Sequence, residues 1–281
     1  MTRATASSTV REALEAAADA ISAAGSDSPR LDAELLLAEA TTGWPREQLA
    51  ARPEAELTGG ASREFAGMVR RRVRREPVAY ILGRRGFRRI ELEVDPRALI
   101  PRPETELLVD VALELAPGRV LDIGTGSGAV ALAVAEELPD VEVTATDTSP
   151  RALVLARANA ERLGLADRVS FEEGTVPAGE FDLLLANLPY VSEAEWEELA
   201  PEICEFEPRE ALVAGPTGLE SIESLLASLG SDARPAAIAL EVGAEQADRV
   251  DSLVRELGYP IVERRPDLAG IERMVLGRGA G

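Results

Sequence analysis

Two short stretches of this chain set polar groups where an apolar run breaks off. The first, Val120 to Val130, reads "VLDIGTGSGAV". Gly124, Thr125, Gly126, Ser127 and Gly128 follow a strand-like pattern and precede a helical one. Glycines permit a tight turn and a close approach of backbone to ligand, and a helix start offers free N–H donors. The spacing is G-x-G-x-G, not the G-x-G-x-x-G of dinucleotide sites, and Asp122 stands just ahead of Gly124. A carboxylate there suits a cationic ligand better than a pyrophosphate. The next apolar run ends in "TATDTSP", placing Asp147, followed by Thr148, where an acid can accept both hydroxyls of a ribose. The loop with Asp122 and Asp147 points to S-adenosyl-L-methionine. A nucleotide site and a purely structural turn are the competing interpretations.

The second stretch is "FDLLLANLPYV", Phe181 to Val191, in a chain whose only asparagines are Asn159 and Asn187. Asn187 has a side-chain carbonyl that can accept an N–H, and Leu188 offers its backbone carbonyl. Pro189 holds Leu188 extended and so fixes where that carbonyl points. Tyr190 supplies a flat face. Together they can receive an –NH₂ on a planar framework, two acceptors taking its two hydrogens while the ring stacks beneath. An amide or aryl-amine nitrogen is a poor nucleophile because its lone pair is delocalised. Holding both hydrogens aims that lone pair at a sulfonium methyl, so catalysis rests on positioning and electrostatics. A proline turn with an asparagine cap is the bland alternative.

The rest of the composition narrows the chemistry. There is no histidine, all 30 basic residues are arginine, and Cys204 is the single cysteine. Serine–histidine hydrolysis, histidine-ligated metals, a zinc cluster and lysine Schiff bases are thereby excluded, and no metal is expected. Cys204 is expected to be a buried, inert thiol, and one cysteine fits a reducing cytoplasm. No apolar run is long enough to span a membrane, and the start of the chain lacks a secretory signal.

These two stretches need a scaffold that brings strand ends together. From about Pro101 the chain alternates strand and helix, with strand runs "RVLDIG", "VEVTATD", "VSFEEG", "FDLLLAN", "AAIALEVG" and "RMVLGR". Short, continuously apolar strands between helices predict an α/β fold with a mostly parallel sheet covered on both faces. Such sheets bind ligands beyond the carboxyl ends of their strands. Asn187 ends the fourth strand and should lie beside the glycine loop.

The first eighty residues predict only short helices, hence a small bundle. Thr9 and Glu12 are spaced as a capping box, Gly25 and Gly43 serve as stops, Pro29 falls in a first turn, and Pro77 ends the last helix. Between the two regions, "FRRIELEVD" alternates as a half-exposed strand within a hairpin-like linker over 84–100.

The formal charge of −20 argues against a nucleic-acid-binding surface overall. It is uneven: Arg63 to Arg89 holds ten arginines against Glu64 and Glu76. That run predicts a solvated helix face or, alternatively, a docking surface for an acidic partner.

Several of these stretches carry a resemblance. "IPRPETE" (100–106), "LDIGTGSG", the Asn-x-Pro-Tyr tetrad, "FEPREALVAG" (206–215), "LEVG" with Gln246, "DLAGIERMV" (267–275), "REPVAYILG" and Phe87 resemble the release-factor glutamine methyltransferase family, PrmC/HemK. The likeness covers nearly the whole chain. It implies a helical substrate-docking domain over 1–83, a linker hairpin over 84–100, and a seven-stranded, Rossmann-like class I methyltransferase domain over 101–281. It also implies N5-methylation of the glutamine in the Gly-Gly-Gln motif of peptide chain release factors, with S-adenosyl-L-homocysteine as the other product.

Carried over by the same resemblance are catalytic roles for Asn187, Pro189 and Tyr190. Cofactor contacts fall to Asp122, Gly124 through Gly128, Asp147, Thr148, Thr175, Val176 and Asn187. Substrate contacts fall to Asn187, Leu188, Pro189, Tyr190, Phe87, Arg102 and Thr105. The expected enzyme is a cytoplasmic monomer that holds no nucleic acid stably and meets no membrane. Two departures stand out. The family's second tetrad position is usually proline and here is Leu188; and after the third strand "FEEGTVP" offers Thr175 and Val176 where an acid is common, with Glu172 or Glu173 as substitutes. Asn-Leu-Pro-Tyr also resembles the tetrad of ribosomal-RNA adenine N6-methyltransferases, the principal alternative. A non-catalytic protein that binds the cofactor is a third.

Overall fold

The computed structural model describes residues 8–42, 44–229 and 234–279. The chain forms two compact units.

The first unit takes the chain up to Gly83 and also claims the helical segment Pro201–Phe206. Its helices are α1 (Val10–Ala23), α2 (Pro29–Ala40), α3 (Arg46–Ala51), α4 (Gly59–Val73) and α5 (Val78–Leu82). Thr9 and Glu12 form the capping box, and α1 buries Val10, Leu14, Ala17 and Ile21 as one helical stripe. These pack with Leu36 and Leu37 of α2, Leu49, Phe65 and Ile81. Pro77 precedes α5 instead of closing the helical region, because proline is well tolerated at a helix start. The expected stop at Gly43 lies outside the described residues.

The arginine run is only partly a solvated face. Arg72 is buried, its Nε donating to Asp32 Oδ2 at 2.7 Å and its Nη2 to Ser26 Oγ and Glu202 Oε1, both at 2.8 Å. Arg75 joins the Glu202 carboxylate from the other side, and Arg71 pairs with Glu76. Arg63, Arg70, Arg74, Arg85 and Arg89 stay exposed. Cys204, expected to be buried, is half-buried, because the short helical segment that carries it buries no residue fully.

The second unit opens with a hairpin of β1 (Arg84–Phe87) and β2 (Ile90–Glu93). "FRRIELEVD" is therefore not one strand. It turns at Arg88, whose φ is +49°, although Ile90, Leu92 and Val94 are buried in alternation as expected. The chain continues through α6 (Glu106–Leu115), β3 (Arg119–Ile123), α7 (Ala129–Glu137), β4 (Glu142–Asp147), α8 (Pro150–Leu163), β5 (Val169–Glu173) and β6 (Leu183–Ala186). Next come β7 (Val191–Ser192), α9 (Glu193–Trp196), α10 (Pro201–Phe206, the segment packed with the first unit) and β8 (Val213–Gly215). The chain finishes through α11 (Glu220–Ser228), β9 (Ala237–Glu241), α12 (Ala247–Glu256), β10 (Ile261–Pro266) and β11 (Glu272–Arg278).

Among the described residues, seven strands form one sheet in the order β10-β11-β9-β6-β3-β4-β5. β9, β6, β3, β4 and β5 run parallel, and β11 is antiparallel to both neighbours. Leu121, Ile123, Leu184, Ala186, Ile238 and Leu240 face the apolar sides of α11 and α12. Several elements escape the strand-and-helix pattern read from the sequence. α6 follows so closely on two prolines that its apolar period is short. β10 is an exposed edge strand rich in charge, and the β7–β8 pair is too brief to show alternation.

Candidate active site

β3 and β6 are neighbours in register, Ile123 beside Ala186, so the glycine loop and the Asn187 stretch leave the sheet side by side. Gly124, Gly126 and Gly128 all have positive φ, at +72°, +58° and +86°. A Cβ on Gly124 would come within 3.0 Å of Leu188 Cδ2 and 3.3 Å of the Asn187 carbonyl oxygen, so glycine is what lets the two turns touch.

Asp122 is buried and shapes this loop. Its Oδ2 accepts Thr125 Oγ1 at 2.7 Å and the Ala131 N–H at 3.2 Å. Burial pushes its carboxyl up to about 6, with Asp147 adding to the rise and the Thr125 and Ala131 hydrogen bonds opposing it. Asp147, at the end of β4, accepts Gly126 N–H on Oδ2 at 2.9 Å and Ser149 N–H on Oδ1 at 2.8 Å. Its pKa is raised by burial and eased downward by those two bonds.

Asn187 donates from Nδ2 to Thr105 Oγ1 at 3.0 Å, which leaves its carbonyl oxygen available as an acceptor. The Tyr190 hydroxyl donates to Glu241 Oε1 at 3.3 Å, and burial followed by the nearby Glu241 charge drives the phenol's pKa up. Gln246 holds the Tyr190 backbone, its Nε2 donating to the Tyr190 carbonyl at 2.9 Å. Glu207 ties down the opposite rim. It accepts the Ile100 N–H at 3.1 Å and pairs with Arg102 at 2.5 Å, so the Arg102 charge is already matched.

One cavity gathers most of the residues singled out by sequence. Asp122, Gly124, Thr125, Gly126, Ser127, Asp147, Thr148 and Thr175 line it, as do Asn187, Leu188, Pro189, Arg102 and Thr105. Four others lie elsewhere. Gly128 closes the loop against Leu132, Val176 packs into the apolar core, and the Tyr190 ring reaches toward Glu241. Phe87, paired with Ile90 across the hairpin, is 2 % exposed and does not line the cavity. Glu172 and Glu173 are exposed on the edge strand β5 and do not line the cavity, whereas Gly174 and Thr175 do.

Sequence reasoning overlooked Arg97, Ser149, Pro208 and Glu210, which also line it. The second asparagine was overlooked too. Asn159 is fully buried, donates to the carbonyls of Glu93 and Ser127 at 3.0 Å each, and accepts the Glu93 N–H at 2.7 Å. It clips the hairpin to the glycine loop. Its rarity in this chain was the available signal.

The donor set fits S-adenosylmethionine. Two carboxylates, open backbone at a glycine turn and no cation on the loop itself suit a sulfonium and a ribose, not a phosphate.

Comparison with known proteins gives a consistent picture. Residues 12–83 match the PrmC N-terminal domain and residues 103–210 the methyltransferase small domain. The release factor glutamine methyltransferase of Koribacter versatilis is 38 % identical, covering 96 % of this chain and 98 % of its own. The enzyme of that name from Salmonella typhimurium is 40 % identical over 90 % of this chain and 93 % of its own. Among solved structures, a Pyrococcus furiosus methyltransferase superposes with a TM-score of 0.51 at 21 % identity, covering 67 % of this chain and 89 % of its own. The hMettl16 catalytic domain, solved in complex with a MAT2A 3′UTR hairpin, superposes at 0.55 and 16 % identity, covering 68 % and 76 %. At such identities the two structures speak for the fold alone.

Proposed function

The chain belongs to the release factor glutamine methyltransferase family, an S-adenosylmethionine-dependent group, and from that premise we propose a division of labour among its own residues. The substrate is the glutamine side chain of the Gly-Gly-Gln motif in peptide chain release factors, and the product is its N5-methyl derivative. Asp147 takes the cofactor's ribose, the Gly124–Gly126 backbone its amino-acid end, and Thr175 the adenine side. Bound S-adenosylmethionine would supply a sulfonium-borne methyl for transfer to the amide nitrogen, its own sulfur leaving as the thioether of S-adenosyl-L-homocysteine.

Asn187 Oδ1 and the Leu188 carbonyl each accept one hydrogen of the substrate –NH₂. Pro189 keeps the second acceptor aimed, and Tyr190 backs the planar amide. Holding both hydrogens turns the nitrogen lone pair toward the methyl and prepays the orientation entropy. The nitrogen becomes acidic only as it is methylated, so its proton can leave to water without a strong base. The single observation that carries this is the shared cavity: Asp147 and Asn187 line one chamber, and Asn187 is held with its carbonyl unspent.

Residues 1–83, joined by Pro201–Phe206, serve as the docking domain, 84–100 as the linker and 101–281 as the methyltransferase domain. Among the described residues no helix is long and apolar enough to cross a membrane. We place the protein in the cytoplasm as a monomer without stable nucleic-acid or membrane partners. Adenine N6-methylation of RNA is the disfavoured alternative, since the net charge is −20 and most of the arginine run is paired with acids in the structure. Incubation with labelled cofactor and either release factor or ribosomal RNA decides: label enters the release factor, and label on RNA alone overturns the proposal.

A further inference from the structure

Gln246 has no part in the division of labour above, yet it closes the junction at which the tetrad ends. The tetrad Asn187 to Tyr190 runs between two fixed points. Upstream, Ala186 lies in register with Ile123 and Leu240 of the neighbouring strands. Downstream, Val191 donates its N–H to the Leu212 carbonyl at 2.9 Å as it enters β7. Within the tetrad, Asn187 is tied by its side chain to Thr105, and Pro189 restricts Leu188. Neither of these holds Tyr190.

Gln246, at the start of α12, does. Its Nε2 donates to the Tyr190 carbonyl at 2.9 Å and to the Gly218 carbonyl at 3.3 Å, and its Oε1 accepts the Gly243 N–H at 2.9 Å. Both amide hydrogens and the amide oxygen are thus spent. Turning the amide over would set its oxygen against two carbonyls and its –NH₂ against an N–H, so one orientation alone is satisfied. The surroundings are shaped to this contact. Gly218 has a φ of +80°, and a Cβ there would stand 2.5 Å from the Tyr190 carbonyl oxygen and 2.9 Å from Gln246 Nε2. A Cβ on Gly243 would meet Gln246 Oε1 at 3.0 Å and Tyr190 Cδ2 at 3.3 Å. Helix capping does not explain the residue. Gln246 occupies the N-cap of α12, where shorter polar side chains are favoured, and its side chain makes no capping bond. The far end of the ring is held less closely, since the hydroxyl lies 3.3 Å from Glu241 Oε1, beyond the usual range for O–H···O.

Resting on the glutamine-methylation reading above, we propose that Gln246 is a positioning residue for methyl transfer. By pinning the Tyr190 carbonyl it fixes the exit of the tetrad, and with it the direction of the Leu188 carbonyl and the seat of the Tyr190 ring. Gln246 is not among the residues lining the cavity, so it acts through Tyr190.

The test uses the full chain, a release factor substrate and the variant Gln246→Glu. That change keeps the shape and the acceptor for Gly243 but sets an oxygen against the Tyr190 and Gly218 carbonyls. Single-turnover methyl transfer should slow about tenfold or more, since misplacement by about 1 Å can cost about a hundredfold. Affinity for S-adenosylmethionine, read by calorimetry, should stay within about twofold. The chain has three tyrosines, Tyr80, Tyr190 and Tyr259, so fluorotyrosine labelling and fluorine NMR report on the ring directly. The Tyr190 signal, assigned by its loss in Tyr190→Phe, should shift or broaden while the Tyr80 and Tyr259 signals keep their positions. A rate within about twofold of wild type overturns the assignment. A slowed variant whose Tyr190 signal is unmoved overturns it too. So does one in which all three signals or the cofactor affinity change, which would make Gln246 a general prop of the fold. If Gln246→Glu does not fold, Gln246→Met, which keeps the length without the amide, is read by the same outcomes. No labelling of release factor by the wild-type chain overturns the glutamine reading and this assignment together, whereas labelled release factor with an unaffected variant overturns the assignment alone.

Discussion

Asn187 gives its amide –NH₂ to the Thr105 hydroxyl at 3.0 Å, although the two residues lie far apart in the chain. Thr105 is itself buried, so the bond is sheltered from competing water. It converts a freely rotating amide into a fixed acceptor. The "IPRPETE" segment and the tetrad thus form one device, and the prolines on either side hold its two halves in place.

Removing that acceptor should be severe. Asn187→Ala is expected to slow methyl transfer about a hundredfold or more, by loss of one preorganised polar contact. Thr105→Val, which leaves Asn187 present but free to turn, should cost about tenfold in kcat. Single-turnover kinetics with release factor check both, and a near-normal rate for Asn187→Ala would refute its role.

Asp147→Ala should act mainly on the cofactor. Its carboxylate accepts two loop N–H groups and can still receive ribose hydroxyls, and hydrogen bonds to a charged group are worth about 1.5–3 kcal/mol each. An affinity loss of at least about tenfold is expected by calorimetry. Unchanged binding would contradict the assignment.

Asp122 should make cofactor binding pH-dependent. Its carboxyl is raised to about 6 by burial, so the folded protein without cofactor holds this proton more tightly than an unfolded chain does. The stabilising effect of that proton is present at low pH and lost as pH rises through about 6. A sulfonium in the chamber favours the ionised form, so affinity should be flat above pH 6 and fall about tenfold per unit below it. Asp122→Asn should flatten the curve. Titration calorimetry across that range would expose the idea as wrong if wild-type affinity did not change.

Arg72→Ala should unfold the first unit more readily. The Arg72 and Asp32 side chains are 6 % and 7 % exposed, and the guanidinium also satisfies Glu202 and Ser26. Leaving such carboxylates buried and unpaired costs about 3–5 kcal/mol. Chemical denaturation followed by circular dichroism should show the loss, and a change under about 1 kcal/mol would show that the network is better solvated than its burial indicates.

Much of the sheet was legible because burial on both faces leaves continuous apolar runs, as in "FDLLLAN" and "AAIALEVG". The glycine loop was legible because its positive φ angles admit little else. What escaped was whatever depended on long-range pairing. Nothing local in "ERRP" marks β10 as a strand, since its pairing with β11 supplies the order. The arginine run reads as a surface until Asp32 and Glu202, remote in sequence, are brought to it. The resemblance implies a substrate contact at Phe87, and only the folded chain shows that residue buried beside the turn at Arg88 and apart from the cavity lining. Glu241 is invisible for the same reason: in sequence it is one more acid after an apolar run.

A crystal structure with S-adenosyl-L-homocysteine and a Gly-Gly-Gln peptide bears most directly on how the two halves of this site cooperate. The glutamine nitrogen should be found within hydrogen-bonding reach of Asn187 Oδ1 and the Leu188 carbonyl, with the cofactor sulfur facing it across the chamber. A peptide seated elsewhere, or a sulfur turned away from Asn187, would contradict the account.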